Sequence, residues 1–280
     1  MILHYVIINR TRFMGMIKKI VLGFFLNILI FITAIMTIWA ADKNQLIKNH
    51  EITLPHYEWS FNGSLGYFDN ASVQRGYQVY RQKCASCHSI NVMRYADLQQ
   101  MGLTLEHIDK IAHREQVMDG KDNQGQDYYR PANVTDYLKK PYFNDNIAKT
   151  ANNGKIPPDF SRYMMIRKNG ANYVMALLLG YKTAPSGFHF DNKASYYNLY
   201  APHHQIGMKP PLTDGGIHYK DGTPATVEQQ AKDVVIFLNW AAHPHLTERH
   251  RMGIMFFLYM IFIVILVFLI NRKVWSNVNK

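Results

Sequence analysis

The residues whose spacing points most narrowly to chemistry are Cys84-Ala85-Ser86-Cys87-His88, a C-x-x-C-H pattern that contains both cysteines of the chain. Two thiols three positions apart lie on one side of a helical turn, where each can form a thioether to a vinyl group of the same porphyrin. The histidine directly after the second thiol then places an imidazole nitrogen under the iron. With one cysteine pair and 13 histidines in 280 residues, chance produces this pattern roughly 3 times in 10,000. The motif therefore predicts one covalently attached haem c, bound through Cys84 and Cys87, with His88 as a metal ligand. A thioredoxin-like redox pair has the same C-x-x-C, but no βαβ pattern surrounds it. A zinc site needs two further ligands, for which the adjacent His203 and His204 are the candidates.

An iron that transfers electrons without binding small molecules needs a sixth ligand, and methionine is the usual one that raises the potential. Met164, Met165 and Met175 fall in or beside helical patterns such as Val174, Leu177, Leu178 and Tyr181, so core packing accounts for them. Met252, Met255 and Met260 lie at or in a long apolar run. Met208 differs, because Gln205-Ile206-Gly207-Met208-Lys209-Pro210-Pro211 places it before two prolines that exclude helix. Met208 is thus predicted to be the second metal ligand, with His203 or His204 as the alternative.

The elements that must position these groups read as helices joined by long loops. Val73, Tyr77, Tyr80 and Cys84 form one stripe that ends on the first thioether cysteine, with Asp69 or Ser72 as its cap. Thr104 opens a second helix with Leu105, Ile108, Ile111 and Ala112 on one face. Thr226-Val227-Glu228-Gln229 is a capping-box sequence before Ala231, Val234, Val235 and Leu238. Asp221-Gly222 suggests one hairpin. His56, His107, His113, His189 and His218 are isolated and read as ordinary surface or core residues.

The two ends are of another kind. Ile20 to Trp39 carries no charge, follows Lys18-Lys19 and runs into Ala40-Ala41, so residues 1–40 read as a signal peptide, with Met14 or Met16 as other possible starts. Met252 to Ile270 is nineteen residues without a charge, enough to span a bilayer. The predicted organisation is a signal at 1–40, an exported domain at 41–248, a transmembrane helix at 252–270 and a cytoplasmic tail at 271–280. Seven of the 31 basic residues lie in the terminal segments, which leaves 24 against 20 acids in the middle. That balance argues against a nucleic-acid binder.

From Tyr57 to Trp275 the chain resembles the cytochrome c1 family, the haem subunits of quinol-cytochrome c reductase (the cytochrome bc1 complex). The likeness is carried by Asp69 to Ser89, Arg130-Pro131, Ala151 to Ser161 (ANNGKIPPDFS), Ile206 to Pro211 (IGMKPP), Asp221 to Thr226 (DGTPAT) and Asp233 to Pro244. The resemblance implies a mainly α, cytochrome c-like haem domain with long loops and one C-terminal membrane helix. It implies His88 and Met208 on the iron, Arg130 near a haem propionate, and Asn153, Gly154, Pro157 and Pro158 as a wall of the haem pocket. It also implies cytochrome b and Rieske iron-sulfur subunits as partners, a c-type cytochrome as acceptor, and residence in a bacterial cytoplasmic membrane with the haem domain on the periplasmic side. Such a subunit carries electrons and does no substrate chemistry of its own; the alternative class is a haem subunit of a terminal oxidase or a haem peroxidase. In the family the stretch before the Arg-Pro pair is often strongly acidic and helps dock cationic cytochrome c. Here Glu115, Asp119, Asp122 and Asp127 are interrupted by Arg114 and Lys121.

Overall fold

The computed structural model describes residues 53–278; the predicted signal segment and its boundary with the exported domain lie outside them. Helix α1 (Asn70–Val79) starts where the Asp69 carboxylate accepts the Ser72 backbone N–H at 2.9 Å. Asp69 is thus the cap, and these bonds to Ser72 hold its carboxyl below the usual range. Past Val79 the helix widens into one π turn over Tyr80–Cys84, closed by the Ala85 N–H on the Tyr80 carbonyl at 2.8 Å. Such a bulge rotates the next residues relative to a plain α-helix. It delivers the cysteine turn.

The remaining elements continue in chain order. A 3₁₀ segment covers Tyr95–Met101, α2 covers Leu105–Ala112, and β1 (Gln116–Lys121) pairs with β2 (Asp127–Pro131). Next come α3 (Asp145–Ala151), α4 (Tyr163–Ile166), α5 (Gly170–Leu179) and β3 (Tyr196–Tyr197), then a 3₁₀ turn at Pro202–His204 and β4 (Gln205–Ile206). Last are α6 (Val227–Ala242) and α7 (Leu246–Val278). The β1–β2 pair is antiparallel, with Val117 opposite Arg130, Met118 opposite Tyr129 and an irregularity between Met118 and Lys121. The fold is mainly helical, as the sequence predicts.

The core forms where α1 crosses α6. A Cβ on Gly76 would lie 2.0 Å from the Asp233 carbonyl oxygen and 2.6 Å from Phe237 Cβ, so the close approach requires glycine there. Tyr77 and Tyr80 each bring a ring to 5.4 Å from that of Phe237. Arg75 clamps the crossing, with Nε 3.1 Å from Asp233 Oδ2 and Nη1 3.0 Å from Asp221 Oδ2. Asp233 is 1% exposed, and a carboxylate so buried is tolerable only because Arg75 and Gln229 both donate to it. α5 packs on the same helix.

Four expectations are corrected here. Asp221-Gly222 forms a turn and no hairpin: Asp221 uses its carboxylate on the Thr223 N–H and on Arg75, and the hairpin lies at Gln116–Pro131 instead. Leu105 is exposed while Ile108 and Ala112 are buried, because α2 turns its first residue off the core. The box at Thr226 is half made: Thr226 Oγ1 accepts the Gln229 N–H at 3.1 Å, but the Gln229 side chain turns to Asp233. Met164 and Met175 are buried as expected, whereas Met165 is 54% exposed, since α4 has a single turn and one inward face.

α7 is 33 residues long, about 50 Å at 1.5 Å per residue. It is long and apolar enough to cross a membrane, and it begins before Met252 because Leu246 to Arg251 continue the same helix. Its base is tied to the domain: His250 Nδ1 bonds the Gly66 carbonyl at 2.9 Å.

Candidate haem site

The turn after the π bulge closes on one acceptor, the Cys84 carbonyl, which takes the N–H groups of Cys87 at 3.0 Å and His88 at 2.9 Å. Both thiols and the imidazole therefore project from a single backbone turn. Burial pushes the Cys84 thiol up to about 12, so with nothing bound it is a protonated, inward-facing thiol at neutral pH. Cys87 lies beside the Tyr142 hydroxyl, which itself accepts from Asn152 Nδ2 at 3.0 Å.

His88 is buried, and its ring is fixed from several directions. Nδ1 is 2.9 Å from the Pro158 carbonyl, the Phe160 ring stacks on it with centroids 4.1 Å apart, and Tyr80 Oη donates to its backbone carbonyl at 3.1 Å. Burial lowers its pKa. A neutral ring whose Nδ1–H is given to a carbonyl presents Nε2 as a lone pair, the arrangement that metal-ligating histidines use. The residues present fit a haem iron on this side.

Residues 157–161 are laced to 88–92. Asp159 accepts from Ser89 Oγ at 2.7 Å, from the Asn91 N–H at 3.0 Å and from the Ser161 N–H at 3.0 Å, while the Phe160 N–H meets the Ser89 carbonyl at 2.8 Å. The same loop reaches the other candidate ligand. A Cβ on Gly207 would lie 3.2 Å from Lys155 Cδ, which puts Lys155 against the backbone next to Met208. Met208 is half-buried, and its carbonyl accepts from Tyr181 Oη at 3.0 Å. Burial keeps that phenol protonated, hence a donor.

The structure therefore brings Pro158 to His88 and links the Asn153–Pro158 loop to the Met208 loop. Asn153 and Gly154 turn the loop with positive φ of 52° and 82°. Arg130 lies in β2, where it gives Nε to Asp119 at 2.9 Å and Nη1 to Asp136 at 2.7 Å. His203 and His204 are exposed, both with positive φ, and His204 Nδ1 bonds the Leu199 carbonyl. Among the described residues no three of His, Cys, Asp and Glu gather as a metal site. Phe160, Asp159, Tyr181 and Tyr142 carry roles that spacing did not reveal. A proline pair followed by Asp-x-Ser was the available signal for Asp159; Tyr181 gave none, since its apolar spacing continued the α5 pattern.

A mainly helical domain with a C-x-x-C-H turn, followed by one C-terminal helix long and apolar enough to cross a membrane, has the features of a haem-bearing cytochrome. The model of the Cytochrome C1 family matches residues 59–278. The chain is similar to cytochrome c1 2, heme protein, mitochondrial, of Arabidopsis thaliana, 42% identical over 217 residues that make up 78% of this chain and 69% of that one. It is similar also to cytochrome c1 of Rhodospirillum rubrum, 34% identical over 243 residues, 81% of this chain and 89% of that one. A third relative is cytochrome b/c1 of Bradyrhizobium diazoefficiens, 35% identical over 245 residues, 80% of this chain and 36% of that one. The chain belongs to the cytochrome c1 family.

Proposed function

We propose that this chain is the membrane-anchored haem c subunit of a quinol-cytochrome c reductase, taking single electrons from a Rieske iron-sulfur protein and passing them to a c-type cytochrome. The observation that carries the reading is the neutral His88 ring, oriented by the Pro158 carbonyl directly beside the cysteine pair, in a chain of the cytochrome c1 family. When bound, haem supplies a one-electron couple whose potential its axial ligands and burial set.

The protein's own part is to hold and to exclude. Cys84 and Cys87 form the covalent attachment. Pro158 and Phe160 keep His88 in one tautomer and one plane, and Met208 supplies the thioether that raises the potential. Asn153, Pro157 and Pro158 shape the wall, and Arg130, held in place by Asp119 and Asp136, has a propionate as its further neighbour. No bond is made or broken on an organic substrate. The name of the Bradyrhizobium relative, cytochrome b/c1, supports a cytochrome b partner. Residues 1–40 act as signal, 41–248 as periplasmic domain, 252–270 as the span and 271–280 as the cytoplasmic tail of a bacterial inner-membrane protein.

Purification in mild detergent tests this reading. Cytochrome b and an iron-sulfur subunit are expected to copurify, and haem stain is expected to stay with the chain on a denaturing gel. Copurification with oxidase subunits would move the chain to the alternative class. Met208→Lys is expected to keep the iron six-coordinate and lower its potential, whereas Met208→Ala opens a position; an unchanged potential in both would remove Met208 as ligand in favour of His203 or His204.

A further inference from the structure

The segment that supplies the wall loop and Met208 has a distinctive charge balance. From residue 139 to residue 209 there are ten basic residues and three acidic ones. The rest of the span 41–251 holds the remaining 14 basic and 17 acidic residues. All of the excess positive charge of the domain therefore lies on the segment that supplies the wall loop and the Met208 loop.

The acids in and around the hairpin do not offset it, because they are already used. Glu115 pairs with Lys139 at 3.1 Å, Asp119 with Arg130 at 2.9 Å and Asp127 with Lys121 at 2.8 Å. Asp122 turns back onto the N–H groups of Gln124 and Gln126. Lys140, Lys149, Lys155 and Lys209 are exposed and form no ion pair among the described residues. Each is tied in position to the site. Lys140 lines a cleft of about 350 Å³ with Ala85 and Ser86, the two residues between the cysteines. The Lys149 carbonyl holds the Gly154 N–H at 2.8 Å, Lys155 lies on Gly207, and Lys209 comes directly after Met208. Between Lys140 and Lys155 in the chain lie Phe143 and Ile147, and directly after Lys155 lies Ile156, at 64%, 48% and 44% exposure, with Asp145 the one acid of that stretch. Exposed apolar side chains in a stretch of predominantly positive, unpaired charge have the make-up of a transient docking surface: the charges steer encounter and the apolar groups seat it.

We infer that this face docks an electron carrier with an acidic surface, an anionic c-type cytochrome, in place of a cationic one. The inference rests on the electron-transfer reading and adds the sign of the partner's charge. The opposite polarity would need free carboxylates near the cysteine turn, whereas Glu115, Asp119 and Asp127 are each paired with a base within the chain.

The test uses the full chain in its detergent-purified complex, with two probes: an acidic c-type cytochrome and a cationic mitochondrial-type one. Stopped-flow association of the acidic probe is expected to be the faster and to slow as salt is added. Lys140→Glu with Lys149→Glu is expected to lower its association rate about tenfold and flatten the salt dependence, while Lys140→Arg with Lys149→Arg retains it. Haem stain and reduction by ascorbate are expected to be the same in every variant. Faster association of the cationic probe, or an acidic-probe rate unmoved by the double Glu variant, overturns the inference while the electron-carrier reading stands. Loss of haem stain from the wild-type chain overturns the reading itself.

Discussion

His88 and Met208 are held by different means. His88 lies in a turn whose own backbone bonds close on the Cys84 carbonyl, with Tyr80 beneath it and the Pro158 carbonyl and Phe160 ring on its imidazole. Met208 sits in a loop whose described support is the Tyr181 hydroxyl and the approach of Lys155 to Gly207. The histidine is prepared by a helix, a bulge and a laced loop. The methionine is placed by a single phenol and a neighbouring side chain. The contrast fits the roles proposed for them: an attachment turn would gain from a fixed ring, while a ligand arriving from a loop could adjust to the metal it meets.

The comparison breaks most completely at the cysteines. Cys84→Ala together with Cys87→Ala should abolish haem stain on a denaturing gel, and each single change should leave at most one thioether, seen as haem released by acidified acetone or as an altered haemochrome spectrum. A chain that retained full stain without both thiols would show that this turn does not attach the haem.

Next in size is Asp159→Ala, which takes one acceptor each from Ser89, Asn91 and Ser161 and so unlaces the His88 side. Because these groups are partly solvated, the expected cost is about 2 kcal/mol, read as a lower urea midpoint with a disturbed haem spectrum. Tyr181→Phe removes the one described hydrogen bond to the Met208 carbonyl and should cost about 1 kcal/mol. Its distinctive readout is weakened sulfur ligation with His88 ligation intact. If Tyr181→Phe loosened the His88 side as much as Asp159→Ala does, the two sides would not be separately supported.

The smallest effect is on acid stability. Arg130 donates to Asp136 and holds its carboxyl below the ordinary value of 3.8. Stability from a carboxyl lowered in this way is present above the unfolded value and is lost as pH falls through the folded one. Asp136→Asn should therefore lower the denaturation midpoint near neutrality slightly and make its decline below pH 3.8 shallower. An unchanged acid limb would show that the Arg130–Asp136 pair contributes nothing to acid stability.

Much of this was legible in the residues. The C-x-x-C-H pattern names its own chemistry because three residue types at fixed spacing serve one porphyrin. The stripe Val73, Tyr77, Tyr80, Cys84 marks a buried face because a helix repeats every 3.6 residues. Nineteen residues without a charge mark a membrane-length helix because a bilayer core has a fixed thickness. Met208 stood out because two prolines forbid helix after it.

Long-range partners were settled elsewhere, by tertiary structure alone. Nothing in the spacing tells that a carbonyl 70 residues away orients His88, because a carbonyl has no side-chain identity. The π turn that delivers Cys84 begins at Tyr80, whose ring packs on Phe237, and α-helical periodicity cannot announce its own interruption. Asp221 looked like a hairpin residue because turn chemistry is local, yet Arg75, 146 residues away, claims its carboxylate. The charge count gave the middle of the chain a small positive excess, and only the ion pairs show where it is left unpaired: Glu115, Asp119 and Asp127 find bases within reach, while Lys140, Lys149, Lys155 and Lys209 pair with no acid among the described residues.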